Sequence, residues 1–119
     1  SVPAHTIITN EFDAGRQNLA AADTVELMNI PANTFVQKVF VEVLSGETGQ
    51  TINIGDATDP DGFVAAGAVA TTGAVVMGAG AYATGKHYAA ADKLLITVPA
   101  TMAYTTLRIR VHVAVIQLG

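Results

Sequence analysis

The strongest constraint on the fold is a period of two near the C-terminus. In residues 107–118, Leu107, Ile109, Val111, Val113 and Val115 fall on one side of an extended chain, while Arg108, Arg110, His112 and Ala114 fall on the other. Strict apolar alternation describes a half-buried β-strand. The run is about twice the usual ~5–6 residues, so the strand is expected to bend or change partners midway. A second strand is expected over 34–44. Phe35, Val39, Val41 and Val43 share one face there, and Val36, Phe40 and Leu44 share the other with Lys38 and Glu42. With bulky apolar groups on both faces, one side enters the core, and the other is expected to meet a neighbouring subunit or a covering loop.

Shorter strands are expected at 5–9, 24–30, 50–55, 74–77 and 93–99, all rich in Val, Ile or Thr. Turn sequences such as Pro31-Ala-Asn33 and Asp59-Pro-Asp-Gly62 separate them. Only 10–23 allows a helix. Regular short strands punctuated by Gly and Pro indicate a sandwich or barrel. The expectation is an all-β antiparallel sandwich of seven or eight strands, forming one domain over 1–119 with 1–10 as an extended N-terminal arm. The length suits a single core.

Composition narrows function chiefly by exclusion. The chain has no Cys, which removes thiolate catalysis, disulfides and cysteine zinc sites. A net charge of −4 argues against non-specific binding to nucleic acid, which needs clustered cations. No run of ~18 strongly apolar residues suggests a membrane span, and the N-terminus shows no basic-then-apolar secretion signal. A soluble chain without an export signal of its own is expected. Residues 62–85 hold six of the 11 Gly, much of the Ala and no charged side chain. Such a tract forms either a pair of small-residue strands within the sandwich or a docking surface that is easily desolvated.

Few residue sets suggest chemistry. Asp56, Asp59 and Asp61 resemble a calcium loop in composition, but the EF-hand spacing is absent and no Glu closes the loop. Pro-Asp-Gly instead builds a tight turn. His5, His87 and His112 are too scattered for a metal site. Ser1 and Ser45 do not sit in a nucleophile elbow. Neither catalytic residues nor a cofactor are expected. Arg108, Arg110 and His112 make a row of cations that something must answer. Either Glu26 or Glu42 on another strand does so, or an acidic patch on a partner.

Four segments carry a family likeness: Ile30-Pro-Ala-Asn-Thr-Phe-Val-Gln-Lys-Val-Phe-Val-Glu-Val43, Thr51-Ile-Asn-Ile-Gly-Asp-Ala-Thr-Asp-Pro-Asp-Gly-Phe63, Gly85-Lys-His-Tyr88 and Leu94-Leu-Ile-Thr-Val98. Together they resemble small virion structural proteins of tailed bacteriophages, of the capsid cement or decoration type. The resemblance implies a jelly-roll-like sandwich that trimerises, binds the outer capsid surface and contacts the major capsid protein. It implies no catalytic residue, nucleic-acid partner or membrane. Related β modules occur in tail and head fibres, so a receptor- or glycan-binding module is the alternative, and a calcium-dependent β module is a third. The expected interface residues are Val36, Phe40, Leu44, Arg108, Arg110 and His112. The arm at 1–10 is expected to reach a neighbouring copy as an added strand.

Overall fold

A computed structural model of the chain describes residues 4–17, 19–99 and 104–118. Among these are nine strands and one turn of 3-10 helix. In chain order the strands are β1 (Ala4–Asp13), β2 (Thr24–Ile30), β3 (Thr34–Ser45), β4 (Thr51–Gly55), β5 (Val64–Ala68), β6 (Val75–Met77), β7 (Lys86–Tyr88), β8 (Asp92–Thr97) and β9 (Arg108–Gln117). They form two antiparallel sheets. One has the order β1-β9-β3-β6, with β7 also pairing β3, and the other runs β2-β8-β4-β5.

With β7 set aside as an addition to the β3 edge, the pairings are nested: β1 with β9, β2 with β8, β3 with β6, and β4 with β5. The chain is thus one long antiparallel ribbon rolled into two sheets, which is the jelly-roll arrangement. Residues 56–63, containing Asp-Pro-Asp-Gly, form the apex of that ribbon, between β4 and β5. Pro and Gly provide the tight reversal there.

The buried and exposed residues of β9 alternate from Arg108 to Val113, and beyond that Ala114 of the outward set is covered as well, at 2% exposed. Leu107, Ile109, Val111 and Val113 are wholly buried between the sheets, and Val115 is nearly so. They pack with Val39, Val41 and Val43 of β3, and with Ile52, Ile54, Leu94 and Ile96 of the other sheet. The strand does not change partners midway. It lies second in its sheet and keeps β1 on one side and β3 on the other over its full length.

β3 is the strand that changes neighbours, pairing β7 through 34–36 and β6 through 40–42 on its second edge. It also carries register shifts between Val36 and Lys38 and between Val43 and Ser45. An extra residue in one strand flips the inward and outward sets. The first bulge therefore puts Val36 on the core side, 0% exposed, rather than on the outer face with Phe40. The second falls at Leu44, which has no partner in β9 and is half-buried.

The described residues of 10–23 do not form an α-helix. β1 continues to Asp13 because Phe12 packs into the core and meets Tyr104 edge-on at 6.3 Å, and only Ala14–Arg16 turns helically. Nor are residues 4–10 a free arm, since they pair with β9 of their own chain from Ala4 to Asn10. Residues 1–3 lie outside the described residues. Within 62–85 the small-residue strands are real but divided: β5 closes one sheet and β6 the other. Gly80 shows one reason for the small side chains, because a Cβ there would stand 2.1 Å from the Asp61 carbonyl oxygen. Backbone packs directly on backbone at that point.

Candidate interaction surface

The outward face of the five-stranded sheet gathers most of the residues singled out from sequence. The registers place side chains in transverse rows, because alternate residues of paired strands share a face. One row reads Glu11, Arg110, Glu42, Val75 across β1, β9, β3 and β6; the next reads Thr9, His112, Phe40, Met77. Arg108 lies one row beyond, opposite Asp13 and Ser45, and is exposed.

Arg110 and His112 of the row are answered within the chain. Arg110 donates to Glu11 at 2.9 Å and to Glu42 at 3.3 Å, bridging the acids on either side of it. His112 Nε2 lies 3.1 Å from Glu42 Oε1 and its Nδ1 lies 2.9 Å from Thr9 Oγ1. The Thr9 hydroxyl can donate to Nδ1 while Nε2–H donates to Glu42. The imidazole also stacks on Phe40, with ring centroids 4.9 Å apart and planes at 23°. Hydrogen bonding from His112, with the Arg110 charge beside it, holds the Glu42 carboxyl below its ordinary range. Glu26 serves elsewhere, pairing Lys93 at 2.8 Å. Exposed pairs of this kind stabilise little; here they fix side-chain positions on the outward face.

The other histidines are also engaged singly: His5 lies 3.1 Å from Gln37 Oε1, and His87 3.0 Å from Asn33 Oδ1.

The Asp-rich apex is organised as a turn. Asp56 is only 1% exposed. Its Oδ1 accepts the backbone N–H groups of Thr58 and Asp59, at 3.0 and 2.8 Å, and its Oδ2 accepts the Tyr88 hydroxyl at 2.7 Å. Burial and that contact push the Tyr88 phenol well above its usual range. Asp59 and Asp61 face each other instead. A hydrogen bond in which the protonated Asp59 carboxyl donates to Asp61 raises the Asp59 carboxyl, with desolvation adding to the effect. Among the described residues no three carboxylates or imidazoles are grouped to hold a metal ion.

One anchoring residue leaves no sequence signature. Glu47 Oε1 accepts the backbone N–H groups of Thr105, Thr106 and Leu107 at 2.9, 2.7 and 3.0 Å. Burial alone would raise its carboxyl, but the three donors outweigh that and hold it below the ordinary value. Thus Glu47, beyond β3, fixes the approach to β9 from nearly 60 residues away.

An apolar groove of about 290 Å³ opens between the free edges of β1 and β2, lined by Ile8, Met28, Pro31 and Val115 with flanking Thr6 and Gln117. No charged side chain lines it.

No family model matches the sequence, and no curated protein matches it. The fold does find counterparts among solved structures. A chain in the capsid of Ralstonia phage GP4 aligns with a TM-score of 0.74 at 18% identity, over 100% of this chain and 88% of that one. A chain in the capsid asymmetric unit of cyanophage Pam1 aligns at 0.68 and 16%, over 98% and 87%. One in the acid-stable capsid of Helicobacter pylori bacteriophage KHP30 aligns at 0.62 and 12%, over 98% and 90%. At these identities the shared property is the fold: this chain has the same nested two-sheet architecture, end to end, as small chains of three phage capsids.

Proposed function

We propose that this protein is a non-enzymatic structural component of a tailed-phage virion: a homotrimeric cement protein that binds the outer capsid surface and stabilises contacts between major capsid subunits. The observation that carries the reading is the extent of the matches. Each covers most of both partners, so the counterpart is a whole small subunit of a capsid rather than a domain cut from a large one. Fold likeness alone does not transfer function. The reading therefore also leans on the site: a sheet face whose polar side chains are fixed by one another, and a groove without charged groups.

On this reading the outer face of the five-stranded sheet supplies the contacts, through Phe40, Leu44, Arg108, Arg110 and His112. Val36 takes no part, being sealed in the core. Arg110 and His112 are already engaged by Glu11 and Glu42, so they suit a polar partner surface more than an acidic one. Each contact is modest, and a trimer engaging several shell subunits gains strength through effective concentration.

The test is reconstitution. Purified protein is added to particles that lack it, and bound density is located by electron cryomicroscopy alongside particle heat stability. Density distributed over the shell with raised heat stability supports the reading. Density confined to a tail or fibre tip overturns it in favour of a receptor-binding module.

A further inference from the structure

Pro60 follows Asp59 at the apex of the ribbon, and the carbonyl group between them is held from two directions. Its oxygen accepts the backbone N–H of Asp56 at 3.1 Å and that of Gly62 at 3.0 Å. Gly55 packs against the same oxygen so closely that a Cβ there would stand 2.1 Å away. Two converging N–H groups, with backbone packed beside them, favour negative charge on a carbonyl oxygen, as in an oxyanion hole.

The side chains at this bond suit attack on that carbonyl. An oxygen of the Asp59 carboxyl can reach its own backbone carbonyl carbon by closing a five-membered ring, and such a tether replaces a bimolecular encounter. Pro60 supplies an amide nitrogen without N–H, more basic than that of a secondary amide and a better leaving group once protonated. The Asp59 carboxyl keeps its proton above the ordinary range through its hydrogen bond to Asp61, desolvation and the charges of Asp61 and Asp56. Across the apex, Gly80 and the Tyr82 ring pack on residues 61–62, and the Tyr88 hydroxyl donates to Asp56. The neutral Asp59 carboxyl therefore persists into milder acid.

We propose that the folded chain cleaves its own Asp59–Pro60 bond in mild acid. The neutral Asp59 carboxyl adds one oxygen to the Asp59 backbone carbonyl carbon. The carbonyl electron pair moves onto the oxygen held by the Asp56 and Gly62 N–H groups, and the carboxyl proton passes to the Pro60 nitrogen. Return of that pair breaks the C–N bond, frees Pro60 as a new N-terminal amine and leaves a cyclic anhydride on Asp59. Water opens the anhydride, so the net change is hydrolysis of one peptide bond. A single cut of this kind is not enzyme turnover, and it stands apart from the virion reading above.

The nested pairing lets the fold survive the cut. Every strand pairing of the described residues joins one of β1–β4, before the bond, to one of β5–β9, after it. The two pieces stay interleaved in both sheets.

The test is mass spectrometry of protein incubated from neutral pH down to about pH 4, near the ordinary carboxylate range, with circular dichroism marking where the fold persists. Two pieces are expected, one ending at Asp59 and one starting at Pro60, together heavier than the chain by one water. They are expected to co-elute in gel filtration until guanidinium separates them. The same chain held unfolded in guanidinium at equal pH keeps the Asp-Pro sequence but loses the two N–H donors, and is expected to be cut roughly tenfold more slowly or less. Asp59→Ala and Pro60→Ala are each expected to abolish the cut, and Asp61→Asn to move its onset to lower pH. A folded chain that stays whole overturns the proposal. Cleavage as fast in guanidinium as in the folded chain overturns it too, by reducing it to the acid lability of the sequence. An Asp59→Ala chain still cut at this bond overturns the route through the carboxyl.

Discussion

Replacing Asp56 with Ala tests whether the apex of the ribbon is held by that carboxylate. Its two oxygens accept two backbone N–H groups and one phenol, and the residue is 1% exposed. Hydrogen bonds to a charged group contribute about 1.5–3 kcal/mol each. Thr58 is exposed and Asp59 half-buried, so water replaces part of what the N–H groups lose. Tyr88, 4% exposed, has no such recourse. The expected loss is therefore about 3–5 kcal/mol, below the simple sum of three bonds. For a domain of this size that corresponds to a Tm lower by about 12–20 °C. Asp56→Asn keeps the acceptor for both N–H groups and offers its amide to the phenol oxygen, so it is expected to cost about 1 kcal/mol. Tyr88→Phe leaves one carboxylate oxygen buried without its donor and is expected to cost about 1–3 kcal/mol. The double variant then reports the coupling between them. Thermal melts followed by circular dichroism, all at one protein concentration, give these values. An Asp56→Ala protein within about 1 kcal/mol of wild type would refute the reasoning, because no buried charge-accepting node behaves that way. A wild-type melt depressed by chelator would refute it differently, by making Asp56, Asp59 and Asp61 a calcium site after all.

Glu47 gives a pH-dependent counterpart. Its folded carboxyl lies below the ordinary 4.5, so its contribution is fully present above that pH and is lost as pH falls through the lowered value. Glu47→Gln is expected to cost about 1–2 kcal/mol at neutral pH and to flatten the acid limb of stability against pH. Superimposable acid limbs in denaturant titrations contradict this. Gly80→Ala forces a Cβ against the carbonyl oxygens of Asp61 and Gly62, at 2.1 and 2.4 Å. A loss of about 1–3 kcal/mol is expected, as for overpacking elsewhere, and an unchanged melt would show that this backbone contact yields freely. Ile54→Ala, in the core at 0% exposed, is expected to cost about 2–5 kcal/mol in equilibrium unfolding; a smaller loss would show a loosely packed interior.

The sandwich was legible because side-chain period and turn chemistry are local. The alternation of β9 is written in consecutive residues from Leu107 to Val115, and the structure buries that set between the sheets. The 55–62 segment reads as a turn for the same reason, since Pro, Asp and Gly act through their own backbone angles. The pairing of Arg110 and His112 with Glu42 was legible as one of two options, and strand order decided between them. The pair of small-residue strands within 62–85 was legible as one of two options, but the bounds of β5 were not, because Val64-Ala-Ala-Gly-Ala68 has too few large side chains to show a period. The segment 10–23, which alone allowed a helix, instead extends β1 because Phe12 gains more from the core than the segment gains from local propensity.

Sequence alone therefore determined an antiparallel all-β chain, its main core strand, its turn at the apex and its lack of cysteine chemistry. Tertiary structure alone decided which face Val36 takes, that Glu47 clamps the backbone at Thr105–Leu107, and that Ile7 and Met77 end up on opposite edges of one sheet face. The reason is physical: a period or a turn depends on neighbours within a few residues. A bulge, a long-range clamp and a strand order depend on which distant segment lies alongside, and that is set only when the whole ribbon has rolled up.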